Sequence, residues 1–174
     1  DGRKRAAKLA RMLVAEGGVV VSGLAKGIDH AAHTAAIGAG GRTIAVIGTP
    51  LDRCYPAEHR QLQETIATEH LLVSQFPAGT TTRPHHFPMR NRTMALISHA
   101  TVIVEAGETS GSLSQGWEAL RLGRPLFLAA WLLSAGLEWP SKLMDHGASV
   151  LSDETFDELL AATPTGSDLD LAEL

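Results

Sequence analysis

V-V-V-S-G-L-A-K-G-I-D, Val19 to Asp29, decides how this chain folds. Val19 to Ser22 is a short apolar run without polar alternation, the pattern of a strand buried on both faces. Gly23 to Gly27 follows as a turn, and Asp29 is the expected N-cap of a helix through Ile37. The same order repeats on either side of it. Arg3 to Glu16 has helical apolar spacing and is stopped by Gly17-Gly18. Strands are expected over Thr43–Gly48, Leu71–Phe76, Thr101–Ala106 and Pro125–Ala130, with Ser149–Ser152 as a sixth. Helices are expected over Ala57–Thr68, Arg92–Ile97, Leu113–Leu122, Ser141–His146 and Asp153–Ala162, with a polar loop from Gly79 through Pro88. Buried strands alternating with helices predict an α/β protein whose mostly parallel sheet is covered on both faces, three layers in all.

The chain has 174 residues, 44% apolar and 20% charged, which suits one globular domain over residues 1–162. The single Cys54 excludes an intrachain disulfide and a cysteine-rich zinc site, and it suits a reducing compartment, hence the cytoplasm. No apolar run is long enough to span a membrane, and no export signal opens the sequence. Net charge is −4. Seven acids and no Lys or Arg lie from Val150 onward, so the remaining body carries a small positive excess. Residues 163–174 read as an acidic tail or linker.

In a parallel α/β sheet, ligands bind beyond the carboxyl ends of the strands, and the chemistry-bearing stretches fall there. The turn Ser22 to Asp29 combines Gly23 and Gly27 with Lys26 ahead of a helix start, which suits an anion but also suits a plain tight turn. The turn Glu105 to Leu113 repeats that form with Ser110, Gly111 and Ser112. Between them lies F-P-M-R-N-R, Phe87 to Arg92. Arg90 and Arg92 offer forked donors for phosphate, Asn91 an amide, and Phe87 or His86 a flat face for a base. The alternative is a pair of surface charges around a core Phe87. Glu105 and Glu108 suit a ribose hydroxyl, acid–base chemistry or pairing with Arg90 or Arg92, and pairing is the most economical reading, because a lone carboxylate beside phosphate is repulsive. His30 and His33 lie three apart, but no third ligand stands nearby, so neither metal nor cofactor is expected. No Gly-x-Ser-x-Gly elbow is present and no histidine adjoins Cys54, so nucleophilic catalysis has no support.

Taken together, the motifs resemble those of the DprA/Smf family. S-G-L-A-K-G-I-D-H-A-A-H (Ser22 to His33), G-G-R-T-I-A-V-I-G (Gly40 to Gly48), L-D-R-C-Y-P (Leu51 to Pro56), F-P-M-R-N-R and V-E-A-G-E-T-S-G-S-L (Val104 to Leu113) occur in the family's order. The resemblance implies a Rossmann-like doubly wound fold. It implies a non-enzymatic homodimer that binds and protects single-stranded DNA and helps load a RecA-type recombinase in natural transformation. The implied DNA site is Ser22, Gly23, Lys26, Gly27, Phe87, Arg90, Asn91, Arg92, Ser110, Gly111 and Ser112, with His86 as a second stacking candidate and Asp29, His33 and Glu105 in support.

The departures are specific. The family's first strand, ending in Gly-Ser-Arg, is not found, so a truncated first strand is expected. The family's Val-Pro-Gly is replaced by A-A-W-L-L-S-A-G-L-E-W-P (Ala129 to Pro140), and the C-terminal winged helix is not found. Leu132, Leu133, Leu137, Trp131 and Trp139 are candidate dimer contacts, and the two tryptophans alternatively form a base platform in a receptor for a nucleotide. Phosphoribohydrolases of similar fold carry Pro-Gly-Gly-x-Gly-Thr-x-x-Glu. Here Gln115 or Ser114 falls at the Glu position, with Glu118 a turn further on, which argues against hydrolysis.

Overall fold

Residues 1–164 are described by a computed structural model of the chain. In order they form α1 (Gly2–Ala15), β1 (Val20–Ser22), α2 (Ile28–Gly38), β2 (Thr43–Ile47), α3 (Arg60–Glu69), β3 (Leu71–Ser74), α4 (His86–Ile97), β4 (Thr101–Ile103), α5 (Gly111–Arg121), β5 (Leu126–Ala129), α6 (Trp139–Asp145), β6 (Ser149–Leu151) and α7 (Phe156–Ala161). Short 3-10 turns precede α3 (Ala57–His59) and α6 (Ala130–Ser134). The expected α/β alternation is therefore present, and the strand pairs are parallel.

The strands form two sheets, β1-β2-β3 and β4-β5-β6. Val20 stands opposite Thr43 in one, and Thr101 opposite Leu126 in the other. The remaining edges of β1 and β4 share a cleft of about 430 Å³, walled by Ala6, Leu9 and Ala10 of α1 and by Met94 and Ile97 of α4. Among the described residues no strand lies between them.

Each half has its own apolar centre. Leu24, Ala45, Ile47 and Ile66 pack together beneath β1 and β2. Ile103, Leu126, Leu128, Leu132, Trp139 and Leu143 pack around β4 and β5. A third cluster joins Ala10 of α1 to Val20 and Ala36 of α2, where small side chains let two helices approach closely. Truncating a core leucine here costs about 2–5 kcal/mol, from lost transfer energy plus the cavity left behind.

Three expectations change. The helix expected from Arg92 starts six residues earlier, at His86. Pro88 marks a loop in the sequence, but it occupies the third helical position, where its missing N–H would have had no intrahelical partner. Asp29 is not the N-cap of α2. Gly27, at φ 86°, takes that place, and Asp29 lies in the first turn. Part of the altered segment Ala129 to Pro140 is built into the core. Leu132 and Trp139 are buried, and Leu137 packs against them. Leu133 remains exposed. Trp131 donates from Nε1 to the Val104 carbonyl at 2.9 Å, and the Arg5 guanidinium covers its ring at 4.4 Å. Neither tryptophan therefore presents a free face for a base. From residue 165 onward, the expected acidic tail lies outside the described residues.

Native-state hydrogen exchange should show amides of β1 and β4 exchanging faster than those of the central strands β2 and β5. Equal protection across all four strands would contradict the unpaired edges.

Candidate nucleic-acid interface

The carboxyl end of β1 leads into a turn held from three directions. Leu24 adopts φ 60°, a left-handed conformation uncommon for a side chain without local hydrogen bonding, and it is completely buried. Its burial among Ala45, Ile47 and Ile66 offsets that strain. The His59 Nδ1–H donates to its carbonyl at 2.9 Å. From within the turn, the Asp29 carboxylate accepts from the Ser22 hydroxyl at 2.8 Å and from the Ala25 N–H at 3.0 Å. Asp29 thus closes the turn on itself, and the Ser22 proton is already engaged.

The third restraint comes from α4. Arg90 Nη1 donates to the carbonyls of Gly23 and Val46, the latter at 2.8 Å, and its Nε donates to Asn91 Oδ1 at 3.0 Å. Gly23 has no side chain because the Arg90 guanidinium fills the space a Cβ would take. Asn91 Nδ2 in turn donates to the Gly111 carbonyl at the start of α5, at 3.0 Å. Arg90 and Asn91 are only 6% and 8% exposed. Burial lowers the Arg90 pKa, with the Asp29 charge opposing, yet a guanidinium stays charged at neutral pH.

These contacts correct the expected phosphate clamp. Successive residues on a helix are about 100° apart, so Arg90 and Arg92 cannot point the same way. Arg90 and Asn91 turn inward and bind backbone. Arg92 turns outward, 61% exposed, and pairs with Glu118 at 3.3 Å. Glu118 also takes Arg121 at 2.8 Å. The arginine's carboxylate partner is therefore Glu118, not Glu105 or Glu108. Glu108 accepts from the Glu138 N–H at 3.0 Å. The Glu105 carboxylate lies against Gly2 at the start of α1, a favourable place for negative charge.

The aromatic candidates also change. His86 is buried and stacked on Phe76, with ring centroids 4.0 Å apart, so it offers no open face. Phe87 is half-buried, with its edge against Gly48 and its ring 5.6 Å from Tyr55. Tyr55 is 62% exposed and is the freer surface of this pair. It stands in the L-D-R-C-Y-P run, where the aromatic residue itself was the available signal.

Other candidates sit at the rims. Lys26 is exposed and paired with Glu58 at 2.7 Å. Ser110 caps α5, its Oγ accepting from the Ser112 N–H at 3.3 Å, and Gly111 between them is exposed. His33 is wholly buried. Thr43 Oγ1 donates to the Val20 carbonyl at 2.8 Å, so at 2.7 Å it accepts from the His33 Nδ1–H. Burial pushes the His33 pKa down to about 4, against the pull of Asp29. Among the described residues no cluster of three His, Cys, Asp or Glu could hold a metal ion. No described helix is long and apolar enough to cross a membrane.

The sequence model for DNA recombination-mediator protein A matches residues 1–163. This chain belongs to the DprA family. DNA processing protein DprA of Bacillus subtilis is 38% identical over 161 residues, covering 91% of this chain and 54% of that protein. The chain therefore spans about half the length of the curated DprA proteins of B. subtilis and Streptococcus pneumoniae. The crystal structure of S. pneumoniae DprA is 39% identical with a TM-score of 0.81, over 90% of this chain and 56% of that one. Helicobacter pylori DprA, solved to describe its single-stranded DNA binding mode, is 29% identical with a TM-score of 0.80, over 94% and 75%.

Arg90→Ala removes the donor from two inner carbonyls and should cost about 2–4 kcal/mol in urea unfolding, whereas Arg92→Ala should change stability by less than about 1 kcal/mol. Similar costs for the two would contradict their opposite orientations. His33 gives a pH signature. The unfolded chain binds a proton on this ring near pH 6.5, and the folded chain does not until about pH 4. Stability should therefore fall as pH drops through that window, by up to about 3 kcal/mol, and most of this slope should vanish in His33→Asn.

Proposed function

We propose that this domain binds single-stranded DNA over the carboxyl ends of its strands and acts as a recombination mediator without catalysing a reaction. The observation that carries this reading is the Arg90–Asn91 pair. It holds the turn after β1 and the start of α5 beside one another, one through the Gly23 carbonyl and the other through Gly111. Around these turns the groups placed to meet phosphate are the exposed Lys26, which Glu58 also contacts, with Gly27, Ser110, Gly111 and Ser112, and Arg92 further along α4. Tyr55, backed by Phe87, supplies the stacking face. A cationic rim with one aromatic plate reads backbone and base face rather than sequence. The single-stranded DNA binding described for the H. pylori relative supports the same ligand.

The wider role is an extension from the family: protection of incoming DNA and loading of a RecA-type recombinase in natural transformation, by a cytoplasmic homodimer. Two alternatives lose their support. A single-nucleotide receptor built on the tryptophans needs open indole faces, and Trp139 is buried while Arg5 covers Trp131. A phosphoribohydrolase needs a free carboxylate near the α5 turn, and Glu118 is held by two arginines.

Fluorescence anisotropy with a labelled oligo-dT tests the reading. Lys26→Ala combined with Arg92→Ala should weaken binding roughly tenfold and lower the slope of log K against log salt by about 1.4, at about 0.7 for each phosphate no longer neutralised. Tyr55→Ala should weaken binding by about 1–3 kcal/mol with the salt slope unchanged. Unchanged affinity in the double variant would overturn the proposed interface. Release of free base from a nucleoside monophosphate would overturn the non-catalytic reading.

A further inference from the structure

The cation at the turn after β1 already has an anion. Glu58 Oε2 lies 2.7 Å from Lys26 Nζ, and Glu58 Oε1 lies 3.9 Å from His59 Nε2. The His30 ring packs on His59 with centroids 4.7 Å apart. One carboxylate thus sits with an oxygen toward each of two nitrogen-bearing side chains, in the manner of a phosphate bound by two of its oxygens. Resting on the DNA-binding reading, we propose that Glu58 is a resident stand-in for a DNA phosphate: it occupies Lys26 in the free chain and is displaced when a strand binds.

Three features of the site support exchange rather than a fixed ion pair. First, the backbone is anchored independently of the pair. The turn bearing Glu58 is held to the turn bearing Lys26 by the buried His59, whose Nδ1–H donates to the Leu24 carbonyl at 2.9 Å. The carboxylate can therefore leave without either turn moving. Second, both partners face solvent, with side chains 66% and 58% exposed, so the pair is held weakly. Hydrogen bonding to each other raises the Lys26 pKa and lowers the Glu58 pKa, so both are charged at neutral pH and a phosphate meets a true competitor. Third, Gly27 leaves open space beside the lysine, with no atom near the position a Cβ would take.

The arrangement sets specificity by charge. A carboxylate bears one negative charge, and a strand of phosphates brings several. A ligand held at further points around the crevice can replace Glu58 at little cost, because its other contacts supply a high local concentration of phosphate at Lys26. A lone monoanion has no such help.

The test measures oligo-dT binding by anisotropy across a salt series for the parent chain and Glu58→Gln, Glu64→Gln, Lys26→Ala and Lys26→Ala/Glu58→Gln. Glu64 stands six residues on, in α3, and its substitution removes the same charge without touching Lys26. Glu58→Gln should tighten binding about two- to fivefold at low salt, the value of one exposed ion pair, while Glu64→Gln has a smaller effect. The Glu58→Gln gain should disappear when Lys26 is already alanine. A gain that persists in that background, or one matched by Glu64→Gln, overturns the proposal and leaves the DNA reading intact. Failure of the parent and of every variant to bind oligo-dT overturns both.

Discussion

One buried arginine and its neighbour hold the two halves of this domain in register. Each half-sheet pairs its own strands, and β1 and β4 share no backbone hydrogen bonds. The halves are joined by packing of α4 on α5, by Arg5 and Lys8 of α1 reaching Trp131 and Asp153, and at the carboxyl ends of the strands by Arg90 and Asn91. The guanidinium reaches Gly23 and Val46 in one half, and the adjacent amide reaches Gly111 in the other. The Nε–Oδ1 bond between the two side chains makes them a single rigid unit. A buried cation that is hydrogen-bonded rather than salt-bridged depends on carbonyl dipoles for its compensation. The turn after β1 must consequently keep its shape, left-handed Leu24 included, for Arg90 to stay solvated by the protein.

Much of the architecture is legible from residue pattern alone. The strands are short apolar runs, several of them bounded by glycine, and every expected run forms a strand because such a run needs no alternation to be recognised. The glycine turns at the carboxyl ends of the strands are legible for the same reason. Less legible is the direction of individual side chains. F-P-M-R-N-R shows two arginines around an asparagine, but it does not show helix phase. The phase follows from where α4 begins, and Pro88 in its first turn hides that start. With the start at His86, Arg90 becomes a structural member and Arg92 a surface one. His86 and Trp139 are ambiguous in sequence for a related cause: a flat side chain suits a base or a core equally, and only tertiary packing against Phe76 or Leu143 decides.

The electrostatics follow the same logic. The body carries little net charge, and its exposed cations near the proposed interface are matched by acids: Lys26 with Glu58, and Arg92 with Glu118. Such local matching keeps the slightly basic stretch before Val150 from adhering to any polyanion, while leaving the cations available to a ligand that supplies several charges at once. Glu118, at 16% exposure between two arginines, is the firmer of these acids, and Glu58, at 58%, the looser. Two motif cations therefore sit behind barriers of different height.

The cleft between β1 and β4 also bears on how the molecule behaves in company. A free strand edge on a protein surface invites lateral growth into larger sheets, the first step of aggregation. Here two such edges share one cleft, whose lining also draws on helices α1, α2, α4 and α5. The domain thus keeps these unpaired edges inside a helix-lined cleft rather than along an open side of a sheet.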